Sequence, residues 1–228
     1  MKKILVLIII LLLSGCEGSG TSLDINSKDV QNLYKMANPF DDAMVLKFLY
    51  KNSGSFDNQY ILAVAIQNYL NNYNETVLYI SKDDVEKSIL KIFGNNISFY
   101  HDKTYLFNNG YCGFDYNQEL EQYEMLYGCS GSMEEKFYRK IVDAVQKNDE
   151  IIIFEKSIYV YNDFLASDPQ VTIYNNIINK DVILNYNSSS NDKLNISIDD
   201  YIEQASTYQY VFKKSGDDYI FESFKLVN

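Results

Sequence analysis

The chain has 228 residues, 46% of them apolar, enough to build a real core in one large domain or two small ones. Its 31 Asp and Glu outnumber 20 Lys and Arg, giving a net charge of −11. A body of that sign is repelled by phosphate backbones, which excludes nucleic acid as a partner, and the presence of only two prolines, Pro39 and Pro169, excludes a Pro-rich linker.

The first segment has the layout of a secretory signal. Lys2 and Lys3 make a positive end, Ile4 to Leu13 is a run of ten apolar residues, and Ser14, Gly15 and Cys16 are small. Ten apolar residues are too few to span a bilayer, which takes about 20 in a helix. The stretch Leu13-Ser14-Gly15-Cys16 resembles the lipobox of bacterial membrane lipoproteins, an aliphatic residue and two small ones before a cysteine. The resemblance covers the first 16 residues. It implies that residues 1–15 are a cleaved signal peptide and that Cys16 becomes the first residue, carrying diacylglycerol and a further acyl chain of the palmitate type. Two or more chains anchor stably where one is marginal. Loss of Lys2 and Lys3 leaves 18 basic against 31 acidic residues, a net charge of −13. Residues 16–27 hold Gly, Ser, Thr and Asn and read as a flexible tether, on which the acidic body stands off anionic lipid.

Residues 28–130 open with helices. Val30, Leu33, Tyr34 and Ala37 recur at helical spacing up to Asn38-Pro39. Met44, Val45, Phe48 and Leu49 mark a second helix that stops at Ser53-Gly54. Asp57 caps a third, apolar all round from Ile61 to Ile66 and hence central. Ser81 caps a fourth, with acids in its first turn, one apolar face of Val85, Ile89, Ile92 and Phe93, and a stop at Gly94-Asn95. Alternation then predicts strands through Ile97, Phe99 and His101 and over Tyr105 to Phe107, and a strand pair over 111–117 and 122–128 turning at Gln118 to Glu121.

Residues 131–228 are expected to begin with a helix. Ser132 and Glu135 form a capping box, and Phe137, Tyr138, Ile141, Val142 and Val145 fall on one helical face. Strands follow: Ile152, Phe154, Ile158 and Val160 on one face; Val171 to Ile177; Val182 to Tyr186; Tyr208, Tyr210 and Phe212; and Tyr219 to Val227 after a turn at Ser215-Gly216-Asp217. Asp199 to Ala205 suggests one helical turn. The fold class is therefore α+β, helices first and antiparallel strands later, either as two units or as one domain with 28–130. The order helix then strands resembles a cystatin-like or NTF2-like sheet wrapped on a helix, a likeness of element order alone.

Candidate chemistry is sparse. Cys112 and Cys129 are an even pair outside the lipobox, and the hairpin centre falls midway between them, so a disulfide is the first reading. A loop of that size would contribute about 3 kcal/mol. Free thiols, or a nucleophilic cysteine served by the single histidine His101, remain open, and His101 by itself reads as a strand-surface residue beside Asp102. The acidic pairs Asp41-Asp42, Asp83-Asp84, Glu134-Glu135, Asp199-Asp200 and Asp217-Asp218 fit helix starts and turns better than paired catalytic carboxylates. No stretch has the ligand spacing of a metal site or calcium loop, and no phosphate loop or hydrolase motif is present, so no cofactor is expected. Tyr159, Tyr161, Tyr208, Tyr210 and Tyr219 either line a groove for glycan or peptide or cover a half-buried sheet.

The expected function is that of a lipid-anchored protein on the outer, extracytoplasmic face of the cell membrane. It is held there through Cys16 and binds an envelope protein, peptide or small ligand without catalysis. The alternative is a lipid-anchored enzyme acting on cell-wall or peptide substrates through His101 and nearby acids or cysteines. A two-lobed solute receptor is disfavoured because repeated βαβ units are missing.

Overall fold

A computed structural model of the chain describes residues 20–40, 56–106, 112–126, 135–163, 170–176, 181–187 and 196–227. It is a mixed α+β protein of three described helices and antiparallel strands. Cys16, Cys129, Pro169, the second expected helix at Met44 to Leu49, Asp41-Asp42 and Ser132 to Glu134 lie outside the described residues.

The helices form where local signals place them. In α1 (Lys28–Ala37) the Ser27 hydroxyl accepts from the Val30 amide, and the segment ends at Asn38 before Pro39. In α2 (Asn58–Leu70) the Asp57 carboxylate accepts from the Tyr60 amide at 2.7 Å. Tyr60 through Ile66 are all at most 1% exposed, so this stretch of the helix is enclosed on every side, as its apolar run requires. In α3 (Lys82–Phe93) Ser81 caps the start, Asp83 and Asp84 sit in the first turn, and Val85, Ile89, Ile92 and Phe93 are buried. Gly94 ends α3 at φ +75, the left-handed conformation that favours glycine.

A small four-stranded sheet has the order β2-β5-β4-β3, where β2 is Tyr79–Ser81, β3 Thr104–Tyr105, β4 Gly113–Asn117 and β5 Gln122–Met125. The hairpin turns at Gln118 to Glu121 as expected, with Glu121 at φ 48. Residues 97–103 join no ladder, so the strand expected through Ile97, Phe99 and His101 is not formed. The alternation there serves packing: Ile97 and Phe99 lie against the main core.

The large sheet runs β1-β6-β7-β10-β11, with β8 added to β7 and β9 to β8. Its strands are β1 (Thr21–Ser22), β6 (Glu135–Lys147), β7 (Glu150–Asp163), β8 (Gln170–Tyr174), β9 (Val182–Asn187), β10 (Ser206–Ser215) and β11 (Asp218–Val227). On one side β7 pairs with β6 over nearly its whole length. On the other, its first half pairs with β10 and its second half with β8. Helices α1 and α3 lie on β11, α1 also on β10, and α2 packs against both helices. One hydrophobic cluster contains residues of all three helices, the small sheet and β7, β10 and β11, so the core crosses the boundary expected at residue 130. A second, smaller cluster covers the other face of the sheet around Ile158, Val160, Val171 and Ile173, closed by the 3-10 turn Ile198–Tyr201.

Two expectations are corrected. The segment 135–147 is strand β6, not a helix, and a bulge explains the misreading. The register with β7 shifts between Ile141 and Asp143, leaving Val142 as the extra residue. Phe137 and Ile141 pack on the main core before the bulge and Ala144 is buried in it after, a spacing of i, i+4, i+7 that a helix would also give. Next, residues 20–27 are not loose tether: Thr21 and Ser22 pair with Gln146 and Val145, the Leu23 amide donates to the Ala144 carbonyl, and Leu23 and Ile25 pack on the core. Ile152, Phe154, Ile158 and Val160 do share one face of β7, with Ile158 and Val160 buried in the second cluster, while the opposite face, Ile151, Ile153, Glu155, Ser157 and Tyr159, is buried throughout and was not expected. The polar pair in the middle of that face hid it.

Candidate functional site

Three places on the molecule gather polar side chains in a way that bears on function. The first is built around the single histidine. His101 follows the α3 exit loop and stacks on Tyr116 at 4.8 Å between ring centroids, with Phe99 edge-on at 5.6 Å. Its Nδ1 lies 2.8 Å from the Tyr123 hydroxyl and its Nε2 3.0 Å from Glu86 Oε1. A carboxylate only accepts, so Nε2 carries a proton and, in the neutral ring, the buried Tyr123 hydroxyl donates to Nδ1. His101 is therefore not a strand-surface residue beside Asp102 but the middle of a Glu86–His101–Tyr123 chain. Burial raises the Tyr123 hydroxyl above its ordinary range, followed by the charge of Tyr116. The chain can pass a proton, but its inner end is a phenol with no exposed surface, where no substrate reaches.

The second place is internal. Glu155 on β7 is fully buried and accepts from the Tyr34 hydroxyl and, at 3.2 Å, from the Tyr210 hydroxyl. Asn38 Nδ2 donates to the Tyr34 hydroxyl at 3.0 Å and lies 3.5 Å from Glu155 Oε2. Burial pushes the Glu155 carboxyl up, opposed by the charge of Arg139 and by hydrogen bonds from Tyr34, Tyr210 and Ser157. Burial likewise raises Tyr34, and the Glu155 charge adds to it, so the phenol stays protonated as a donor. Sequence reasoning missed Glu155. Its signal was the break in the apolar run of β7, Ile-Phe-Glu-Lys-Ser-Ile, which marked an irregularity rather than a site.

The third is a cleft of about 1260 Å³ between α1, the end of α2, α3 and the β10–β11 turn. Leu33, Met36 and Ile220 supply apolar lining, and Lys35, Lys91 and Asp218 supply charge. This mixed lining suits a ligand with an apolar body and a few polar groups, and the volume exceeds a typical small-molecule pocket of about 300–1,000 Å³. No sequence signal pointed to it, because five separate segments build it, the β6–β7 hairpin with Gln146 and Ile151 included.

The other candidates are now placed. Cys112 is buried at the head of β4 and its sulfur is engaged, while Cys129 lies outside the described residues. Asp83-Asp84 and Asp199-Asp200 sit in first turns and Asp217-Asp218 at the β10–β11 turn, but Glu135 is in a strand. Tyr159, Tyr208 and Tyr210 are buried and Tyr161 is half-buried, so these four cover the sheet, whereas Tyr219, also half-buried, lines the cleft. Among the described residues no group of three or more His, Cys, Asp or Glu is placed to hold a metal ion, and no helix is long and apolar enough to cross a membrane. Compared with protein-family models, curated proteins and solved structures, the chain matches none.

Proposed function

We propose that the chain is a lipid-anchored envelope lipoprotein, held at the outer face of the cytoplasmic membrane through Cys16. Its α+β body acts as a non-enzymatic binding module for an envelope protein, peptide or small ligand. The observation that carries the binding role is the mixed cleft between α1 and α3, a concave surface of about 1260 Å³ with convergent polar groups. The anchor rests on the lipobox sequence alone.

Two experiments test the two halves. Cells fed radiolabelled palmitate should label the wild-type chain and not Cys16→Ala, which should leave the membrane fraction; equal labelling of both removes the anchor. A pulldown with the full lipidated chain from detergent extract should return a specific partner that Leu90→Arg, at an exposed position on the cleft rim, loses without a change in melting temperature. No specific partner, together with no ligand-induced melting shift, removes the binding role.

A second reading, an envelope enzyme, is favoured only by the Glu86–His101–Tyr123 chain. His101→Ala that keeps its fold and every phenotype discards it. We also propose a Cys112–Cys129 bridge, supported by the engaged sulfur of Cys112. Thiol titration of the denatured chain before and after reduction should differ by two, and an unchanged count rejects the bridge. A cystatin-like or NTF2-like likeness would now have to rest on helices from the first half of the chain, because 135–147 is strand.

A further inference from the structure

We infer that the end of the large sheet carrying the β6–β7 and β10–β11 turns is the surface this protein lays against the lipid bilayer. The inference rests on the anchored reading above and adds to it which face of the body meets the membrane.

The argument starts at β1. Antiparallel pairing of Thr21 with Gln146 and Ser22 with Val145 means that the chain, followed back toward Cys16, runs toward Lys147 and the turn at Asn148-Asp149. The contact begins as early as Gly20, where a Cβ would come within 2.9 Å of the Gln146 carbonyl oxygen. Only Glu17 to Ser19 separate Cys16 from Gly20, so their Cα atoms are at most about 14 Å apart. That is short against β7, whose 14 residues run for about 46 Å. A lipidated Cys16 therefore lies close to the turn end of the sheet and far from the end that holds β8 and β9.

The β10–β11 turn joins the same end. The Lys214 amide donates to the Asp149 carbonyl at 2.7 Å, which places the two turns side by side. The charged groups of this end are Lys147, Lys213 and Lys214 among Asp149, Glu150, Asp217 and Asp218, with Lys213 also paired to Glu222 at 3.5 Å. The short reach from Cys16, rather than attraction to anionic headgroups, therefore sets which face meets the membrane. The proposed binding cleft borders this end, since Gln146, Ser215, Asp217 and Asp218 line it, so its occupant would be met near the membrane surface.

The test uses the full lipidated chain in vesicles of phosphatidylcholine and phosphatidylglycerol with a nitroxide headgroup lipid as quencher. A fluorescent amino acid is placed at Asp149 or Ser215, or at Gln170 or Asn187 on the far end. Lipid labelling of Cys16 is read first, and an unlabelled chain overturns the anchored reading and this inference with it. In a labelled chain, quenching should be several-fold stronger at 149 and 215 than at 170 and 187. A Gly/Ser insert of about ten residues after Ser19, which lengthens the tether's mean reach from about 11 Å to about 20 Å, should reduce that contrast. Even quenching at both ends, stronger quenching at 170, or a contrast indifferent to the insert overturns the orientation and leaves the anchor standing.

Discussion

Tyr34→Phe isolates the buried carboxylate better than any change to Glu155 itself. The ring stays, packed edge-on against Tyr210 at 5.6 Å, and only the hydroxyl that donates to Glu155 and accepts from Asn38 is lost. A hydrogen bond to a charged group is worth about 1.5–3 kcal/mol net. For a domain of this size that lowers the melting temperature by roughly 3–12 °C, at about 2–4 °C per kcal/mol. The pH dependence carries the sharper content. Burial holds the Glu155 carboxyl above its ordinary range, so its contribution to stability is present below the unfolded carboxyl's pKa and is lost as pH rises through the folded one. The Tyr34 hydrogen bond opposes that shift by favouring the ionised form. Removing it raises the folded pKa further, and the deficit of the variant should grow with pH above the ordinary carboxylate range. Denaturant unfolding of both proteins from about pH 4 to pH 8 reads this directly. Tyr73→Phe is the control: its half-exposed hydroxyl meets only Tyr69 at 3.0 Å, and the cost should stay within about 0.5 kcal/mol. A Tyr34→Phe deficit that is flat across this range, or no larger than the control, refutes the reasoning.

Other substitutions separate steric from conformational effects. At Gly113 a Cβ would sit 2.0 Å from the Thr104 carbonyl oxygen, so Gly113→Ala should part β3 from β4 and cost about 1–3 kcal/mol or more. Gly216 has open space but φ +66, and Gly216→Ala should cost about 1–2 kcal/mol from backbone strain alone. Denaturant midpoints rank the pair, and the reverse order would contradict the packing described. Leu62→Ala, inside the enclosed stretch of α2, should cost about 2–5 kcal/mol, whereas Leu120→Ala, 61% exposed in the β4–β5 turn, should stay within about 0.5 kcal/mol. Calorimetric melting of the two checks whether α2 is the centre of the core.

What was legible in the sequence was local. Ser27, Asp57 and Ser81 cap helices within three residues of themselves, and Tyr208, Tyr210 and Phe212 point to one face because a strand's period is two. What failed depended on a partner strand. The bulge at Val142 is a property of the β6–β7 register, and it turned a strand's alternation into the spacing of a helix. Gly20 to Ser22 have the composition of a linker, and only the exposed backbone of β6 makes them a strand. The cleft was illegible for the same reason, since its walls are brought together from α1, α2, α3, the β6–β7 hairpin and the terminal hairpin. His101 was read correctly as a member of an alternating run and wrongly as surface, because Glu86 and Tyr123 meet it from other elements.

Glu155 links these local and distant effects. Tyr34 on α1 and Asn38, the residue that caps its end, converge on its carboxylate, while the neighbouring positions Leu33 and Met36 line the cleft. Apolar contacts between α1 and the sheet tolerate a slide along the helix axis, because leucine, tyrosine and methionine present similar surfaces at successive turns. A slide of one turn would instead leave a buried carboxylate without its donors, and breaking such an arrangement costs about 3–5 kcal/mol. Arg139 adds to the same lock from the strand side, where its guanidinium donates to the Phe40 carbonyl at 2.8 Å just beyond the end of α1. The polar residues inside the sheet therefore fix where α1 sits, and with it the width of the cleft between α1 and α3.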